Sequence, residues 1–243
     1  MIRCILVVLI IALFLILGLP LLLFETVLGK FNEPLMRSSS LRIVQFMFRL
    51  ILKVAGARVT VIGQENIPTD QPVLYVSNHR SYFDILVGYI SVVGLCGFIA
   101  KKEINSVPIL NLWMRKLHCL FLDRSSLRAG LDTILKAIEQ VKQGISIFIF
   151  PEGTRSQGDE MLPFKEGGMK ISEKTGCPVI PVAILGTDNI FENHIPFVRP
   201  ADVTICFGEP IYTAQLERAE KKHLGERCRG IIEGMLTELL QKQ

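Results

Sequence analysis

Val73-Leu74-Tyr75-Val76-Ser77 runs without a break into Asn78-His79-Arg80-Ser81-Tyr82-Phe83-Asp84. The first five residues form an apolar run of the length of a buried strand. Ser81 is a residue type that caps helices, and Asp84 would then fall at the third helical position. A strand that passes so quickly into a helix is the repeating unit of an α/β sheet. Further buried strands read outward from it at Leu95–Ala100, Cys119–Leu122, Ile145–Phe150, Val179–Leu185 and Val203–Phe207. Between them Leu127, Leu131, Ile134, Leu135, Ile138 and Val141 recur at helical spacing, closed by Gly144. Another helical pattern runs from Ala214 to about Leu240. The alternation predicts an α/β fold whose largely parallel sheet is flanked by helices, with sites in the loops at the carboxyl ends of the strands.

The loop after the first strand carries His79 and Asp84, five residues apart. On one continuous helix they would point about 140° apart, so they meet only if His79 sits in the turn and Asp84 in the first helical turn. Asp84 would then hold one imidazole nitrogen and leave the other as a general base toward a hydroxyl. The competing reading is a capping box of Ser81 with Asp84, with His79 an ordinary loop residue. Local sequence does not choose between them.

Phe150-Pro151-Glu152-Gly153-Thr154-Arg155-Ser156 follows the strand Ile145–Phe150, at the same sheet edge as His79 if the strands are parallel. Gly153 permits close backbone approach, and Arg155 offers a planar fork for phosphate. Alternatively the segment is a solvated surface turn. Lys101 and Lys102, Arg124, and Lys165 also follow strands or lead into a helix. Cations after several strands at one edge point to an anionic ligand.

Cys4 to Phe24 contains no charge over 21 residues. At helical rise this spans about 30 Å, the thickness of the hydrocarbon core of a bilayer. A cleaved signal peptide has a shorter apolar core, about 7–15 residues, and a small-residue cleavage site; Phe24-Glu25-Thr26 follows here instead. Pro20 is expected to kink or end the helix. Leu41 to Ala57 differs, because Arg42, Gln45, Arg49 and Lys53 form one polar stripe. It reads as an amphipathic helix at the interface or packed on the first helix, with a helix of the soluble core as the alternative. Residues 1–57 are thus read as an N-terminal two-helix membrane element and 58–243 as the α/β domain. Arg3 precedes the apolar run, while Lys30, Arg37 and Arg42 follow it and are partly offset by Glu25 and Glu33. This small positive excess and the free thiols lead to the expectation that the domain lies on the cytoplasmic side of the cell membrane.

The chain has 243 residues and a net charge of +4. That excess is small and dispersed, so nucleic acid is not expected as a partner. Six cysteines without C-x-x-C spacing read as free thiols, and four scattered histidines give no zinc motif. No metal is expected.

With these residues in hand, the chain resembles the glycerolipid acyltransferases, the bacterial 1-acylglycerol-3-phosphate acyltransferases and their relatives. Asn78-His79-x4-Asp84 resembles the first motif of that family, Phe121-Leu122-Asp123-Arg124 the second, Phe150 to Ser156 the third and Val179-Ile180-Pro181-Val182 the fourth. They occur in the family's order, and the resemblance covers about residues 60–210. His118 stands where the second motif commonly has Gly. The resemblance implies His79 as base and Asp84 as its orienter. It implies Arg124, Glu152, Gly153 and Arg155 around the acceptor and Lys101 or Lys102 near its phosphate; Asn78, Thr154 and Lys165 are further candidates for substrate binding. It also implies lysophosphatidic acid as acceptor, membrane lipids as surroundings, and acyl-CoA or acyl carrier protein thioester as co-substrate, with no further cofactor. Glycerol 3-phosphate or another lysophospholipid is the alternative acceptor. A lipid esterase would need a G-x-S-x-G elbow, which is absent from the sequence. A non-catalytic membrane protein is the third reading, and it would have no need of His79 and Asp84 together with Arg155.

Overall fold

The computed structural model describes residues 1–158 and 160–242. The chain opens with two long helices, α1 (Ile2–Phe31) and α2 (Glu33–Ala55). Asn32 separates them and caps α2 by accepting from the amide of Leu35 at 3.0 Å, while Pro34 lies in its first turn. Gly56 ends α2 in the left-handed conformation, φ 84°. Of the two outcomes expected at Pro20, a kink or an end, the helix does not end there: α1 continues through Pro20 for another eleven residues, to Phe31. Apolar helices tolerate an internal Pro better than soluble ones do.

Seven strands follow: β1 (Ala57–Ile62), β2 (Leu74–Ser77), β3 (Cys96–Lys101), β4 (Leu120–Leu122), β5 (Ser146–Ile149), β6 (Val179–Leu185) and β7 (Ala201–Phe207). They form one sheet in the order β1-β7-β6-β2-β5-β3-β4. Only β6 and β7 pair antiparallel; every other neighbouring pair is parallel. The carboxyl ends of β2 to β6 therefore share one edge. The helices α3 (Phe83–Ser91), α4 (Leu110–Lys116), α5 (Leu127–Lys142), α6 (Lys170–Thr175), α7 (Arg218–Lys222) and α8 (Leu224–Gln241) complete the chain. The single C-terminal helix read from the sequence is thus two, α7 and α8, divided at His223.

Alternate residues of the central strands feed two cores, as the two-residue period requires. Tyr75, Phe148, Ile180 and Val182 face one cluster shared with α2, α3 and Trp113 of α4. Leu74, Ile147, Ile149 and Ala183 face the other, shared with α5, α6 and α8. With both faces covered, the strands read as continuous apolar runs.

The helical pair is docked on the first core. Val44, Ile51, Leu52 and Ala55 of α2 are buried, and Gln45 donates to the carbonyl of Tyr89 in α3 at 2.9 Å. Arg42, Arg49 and Lys53 face outward, so the polar stripe is solvent-exposed in three of its four members. Phe14 of α1 stacks on Trp113 at 5.4 Å. Much of α1 stays uncovered, with Ile5, Val8, Ile16, Leu17, Leu23 and Phe24 all exposed. It is long and apolar enough to cross a membrane.

Candidate active site

His79 lies in the turn between β2 and α3, and Asp84 in the first turn of α3. Nδ1 of His79 is 2.8 Å from Oδ2 of Asp84. The same oxygen accepts the backbone N–H groups of Arg80 and Ser81, each at 2.8 Å. Oδ1 accepts the hydroxyl of Thr187 at 2.5 Å. Both oxygens of Asp84 act as acceptors, so in this pairing Nδ1 is the donor and Nε2 is left as an acceptor. Asp84 is fully buried, and the His79 side chain is 16% exposed, so part of the ring remains accessible. Asp84 holds the imidazole and the turn before the helix, but the capping box is not formed as expected. α3 starts at Phe83 with Tyr82 at its N-cap and no side-chain cap bond, so Asp84 falls at the second helical position rather than the third.

The loop after β5 clamps the same turn. The buried carboxylate of Glu152 accepts the N–H of His79 at 2.7 Å and that of Leu162 at 3.0 Å. Burial pushes its carboxyl above the ordinary range, while the two N–H groups pull the other way. Ser156 donates its N–H to the carbonyl of His79 at 2.8 Å, and Phe150 stacks on the imidazole at 4.1 Å. Glu152 thus holds the backbone of His79, with both oxygens engaged. Asn78 is likewise turned inward. Its buried amide exchanges two hydrogen bonds with Ile184, at 2.9 and 2.8 Å, and extends the ladder between β2 and β6.

The cations divide into two groups. Arg124 donates through Nη1 to the carbonyl of Gly153, whose φ of 81° is left-handed. A Cβ at Gly153 would lie 2.9 Å from Nζ of Lys165 and 3.5 Å from Nη1 of Arg124, so the three residues share one small region. Thr154 is exposed next to it. Arg155 pairs with Glu192 at 2.9 Å and lies over the ring of Tyr82, 3.7 Å from its centroid. Lys102, by contrast, is tied to Asp123 at 2.6 Å. That hydrogen bond raises the lysine and draws Asp123 down to about 2. Lys101 is exposed at the end of β3.

Motif reading did not single out Thr187 and Glu192. Both follow β6 at the edge that bears His79, and the rule used for the other strand ends would have reached them. His118, where the resemblance leads one to expect Gly, has φ 60°. The position demands a left-handed residue, and His is among the few non-glycine types that accept it.

Of the six cysteines, Cys96, Cys119, Cys177 and Cys228 are buried and all six are free.

A family model described as Acyltransferase matches residues 58–185. A 1-acyl-sn-glycerol-3-phosphate acyltransferase of Borreliella burgdorferi is 32% identical over 187 residues, 75% of this chain and 75% of that protein. One from Saccharomyces cerevisiae is 31% identical over 88% of this chain and 70% of its own length. A chloroplastic one from Brassica napus is 35% identical over 66% of this chain, which spans 47% of that longer protein. The crystal structure of the 1-acyl-sn-glycerophosphate (LPA) acyltransferase PlsC from Thermotoga maritima superposes with a TM-score of 0.85 at 28% identity, over 98% of this chain and 95% of that one.

Proposed function

The chain belongs to the acyltransferase family, and on that premise we propose that it acylates the free sn-2 hydroxyl of 1-acylglycerol 3-phosphate from an acyl thioester, giving phosphatidic acid. The observation that carries this reading is the His79–Asp84 pair at 2.8 Å beside the Arg124–Gly153–Lys165 cluster. The pair supplies a base for a hydroxyl, and the cluster supplies positive charge for a phosphate near it.

The steps balance without an added reagent. Nε2 of His79 takes the hydroxyl proton as the oxygen attacks the thioester carbonyl. The tetrahedral intermediate collapses, the carbon–sulfur bond breaks, and the leaving thiolate takes the proton back from the imidazolium. Asp84 stabilises the imidazolium in between. Arg155, Arg124 and Lys165 hold the phosphate and so orient the hydroxyl. Either coenzyme A or acyl carrier protein serves as the thiol. The exposed apolar surface of α1 supports attachment to a membrane, where the acceptor resides; the cations after the apolar run favour the cytoplasmic side of the cell membrane. An esterase reading finds no support in Ser81. Its buried hydroxyl donates to Glu192 at 2.7 Å and accepts from the amide of Phe83 at 3.0 Å.

The test is an acceptor panel in mixed micelles, with acyl-CoA and acyl carrier protein thioesters and mass-spectrometric detection of products. Phosphatidic acid formed in equal amount to released thiol is expected. Thiol release with free fatty acid and no lipid ester would overturn the proposal.

A further inference from the structure

Glu192 lies in the loop between β6 and β7, in a short 3-10 turn Glu192–His194. Its side chain is 15% exposed, and it draws together two elements of the candidate site. Oε2 accepts the hydroxyl of Ser81 at 2.7 Å, while Oε1 accepts the backbone N–H of Tyr82 at 2.8 Å and Nη1 of Arg155 at 2.9 Å. The guanidinium is fixed twice, by this ion pair and by its face against Tyr82 at 3.7 Å. Among the described residues Arg155 makes no other protein hydrogen bond. A guanidinium has five N–H donors in a rigid fork, so the remaining donors are held in one orientation, on a side chain 31% exposed.

Two physical effects of Glu192 oppose each other. Its carboxylate cancels part of the positive charge of Arg155 and so weakens attraction for an anion. It also removes rotational freedom that the arginine would otherwise lose on binding. Stacking on Tyr82 and anchorage of Glu192 by Ser81 and Tyr82 make the arrangement rigid, which favours the second effect.

We infer that Glu192 is a positioning residue that presents Arg155 to the phosphate of the acceptor. The inference rests on the proposal that Arg155 meets that phosphate. Charge and orientation give opposite signs for Glu192→Gln, which keeps the shape and loses the ion pair. If orientation dominates, KM for the phosphorylated acceptor rises; if charge dominates, it falls.

The experiment is a double-mutant cycle on the full chain in mixed micelles, with Glu192→Gln, Arg155→Ala and the double variant. The readings are kcat and KM for 1-acylglycerol 3-phosphate, KM for the thioester, and the pH profile of kcat/KM, with unphosphorylated 1-acylglycerol as a second acceptor. Glu192→Gln is expected to raise the acceptor KM about fivefold, the effect of losing a partly buried ion pair, and to leave thioester KM and pH profile in place. Arg155→Ala raises it more, and the double variant matches Arg155→Ala alone. A lower or unchanged acceptor KM, or effects that multiply in the double variant, would overturn the inference. So would a moved pH profile, because Glu192 would then act on His79 and Asp84 through Ser81. A wild type that uses the unphosphorylated acceptor equally well would overturn the acceptor proposal and this inference together. Failure of the cycle in an enzyme that still requires the phosphate would overturn the inference alone.

Discussion

Asp84 Oδ2 stands 2.8 Å from His79 Nδ1 and, at the same distance, takes the amide protons of Arg80 and Ser81. One oxygen therefore fixes both the turn and the tautomer. Asp84→Asn retains the size of the side chain but offers an amide where a carboxylate must stabilise an imidazolium. Turnover is expected to fall on the order of 10³–10⁴-fold, as for other carboxylates that orient a general-base imidazole. Weaker acceptance of the Arg80 and Ser81 amides is expected to cost about 1 kcal/mol of stability. Turnover and thermal midpoint measured on the same preparation check both. Loss of stability with turnover intact would reduce Asp84 to a structural residue of the turn.

Gly153→Ala places a methyl at φ 81° and 2.9 Å from Nζ of Lys165. The lysine end can move, but the backbone strain remains, at about 1 kcal/mol. Displacing Lys165 and loosening the Arg124 contact is expected to raise the acceptor KM several-fold, with the thioester KM unchanged. Steady-state kinetics with each substrate varied in turn check this.

His118 is half-buried, and burial, aided by Arg37, brings its pKa down to about 4 while Glu33 acts the other way. It is neutral in the fold, whereas an unfolded histidine titrates near 6.5. Below that value the unfolded chain binds a proton that the folded chain does not. The stability contribution is present above pH 6.5 and is lost as pH falls toward 4. His118→Asn keeps a residue that tolerates positive φ and removes the titration. The stability of the wild type relative to this variant is expected to drop by roughly 1 kcal/mol between pH 7 and 5, after allowance for partial exposure. Thermal melts in detergent at both pH values decide it, and a pH-independent difference would contradict the shift.

With 1–57 read as a membrane element and 58–243 as the α/β domain, deleting residues 1–57 is expected from sequence to release the domain from membranes in part. In the structure the deletion opens the core that Val44, Ile51, Leu52 and Ala55 share with α3 and Trp113, and removes the first residue of β1. Burial of those four side chains stabilises by about 1.5–3 kcal/mol each for the larger ones. The truncated chain is expected to aggregate, while removal of α1 alone weakens membrane attachment and leaves a cooperative melt. Flotation with liposomes after a high-salt wash, together with calorimetry of both deletions, separates the outcomes. A stable, monomeric 58–243 fragment would contradict the packing role of α2.

Most of the sheet was readable because its central strands are buried on both faces and therefore appear as unbroken apolar runs, as at Val179–Leu185. β1 was not. Ala57–Ile62 alternates Arg58 and Thr60 with apolar residues at the sheet edge, and the helix pattern before it absorbed its first residue. The true start of α2 was signalled by Asn32 and Pro34, yet the hydrophobic stripe begins only at Leu41. At the site, local spacing brought out His79 and Asp84 and left their relation open, since both readings need the same turn. Thr187 lies 103 residues from Asp84 and Glu192 lies 111 from Ser81, and only the return of β6 beside β2 places them there. Glu152 reads as a ligand in its motif, but its two hydrogen bonds to His79 and Leu162 are invisible in one dimension.

The central claim is that His79 is the base for acyl transfer to a phosphorylated acceptor. Its most direct test is phosphatidic acid formation by the purified full chain and by His79→Ala, from one acyl thioester and 1-acylglycerol 3-phosphate, with the thermal midpoint of each recorded. The account predicts one lipid ester per thiol released by the wild type, and loss of that product in a variant that melts like the wild type. A folded His79→Ala that forms phosphatidic acid at near wild-type rate would contradict it.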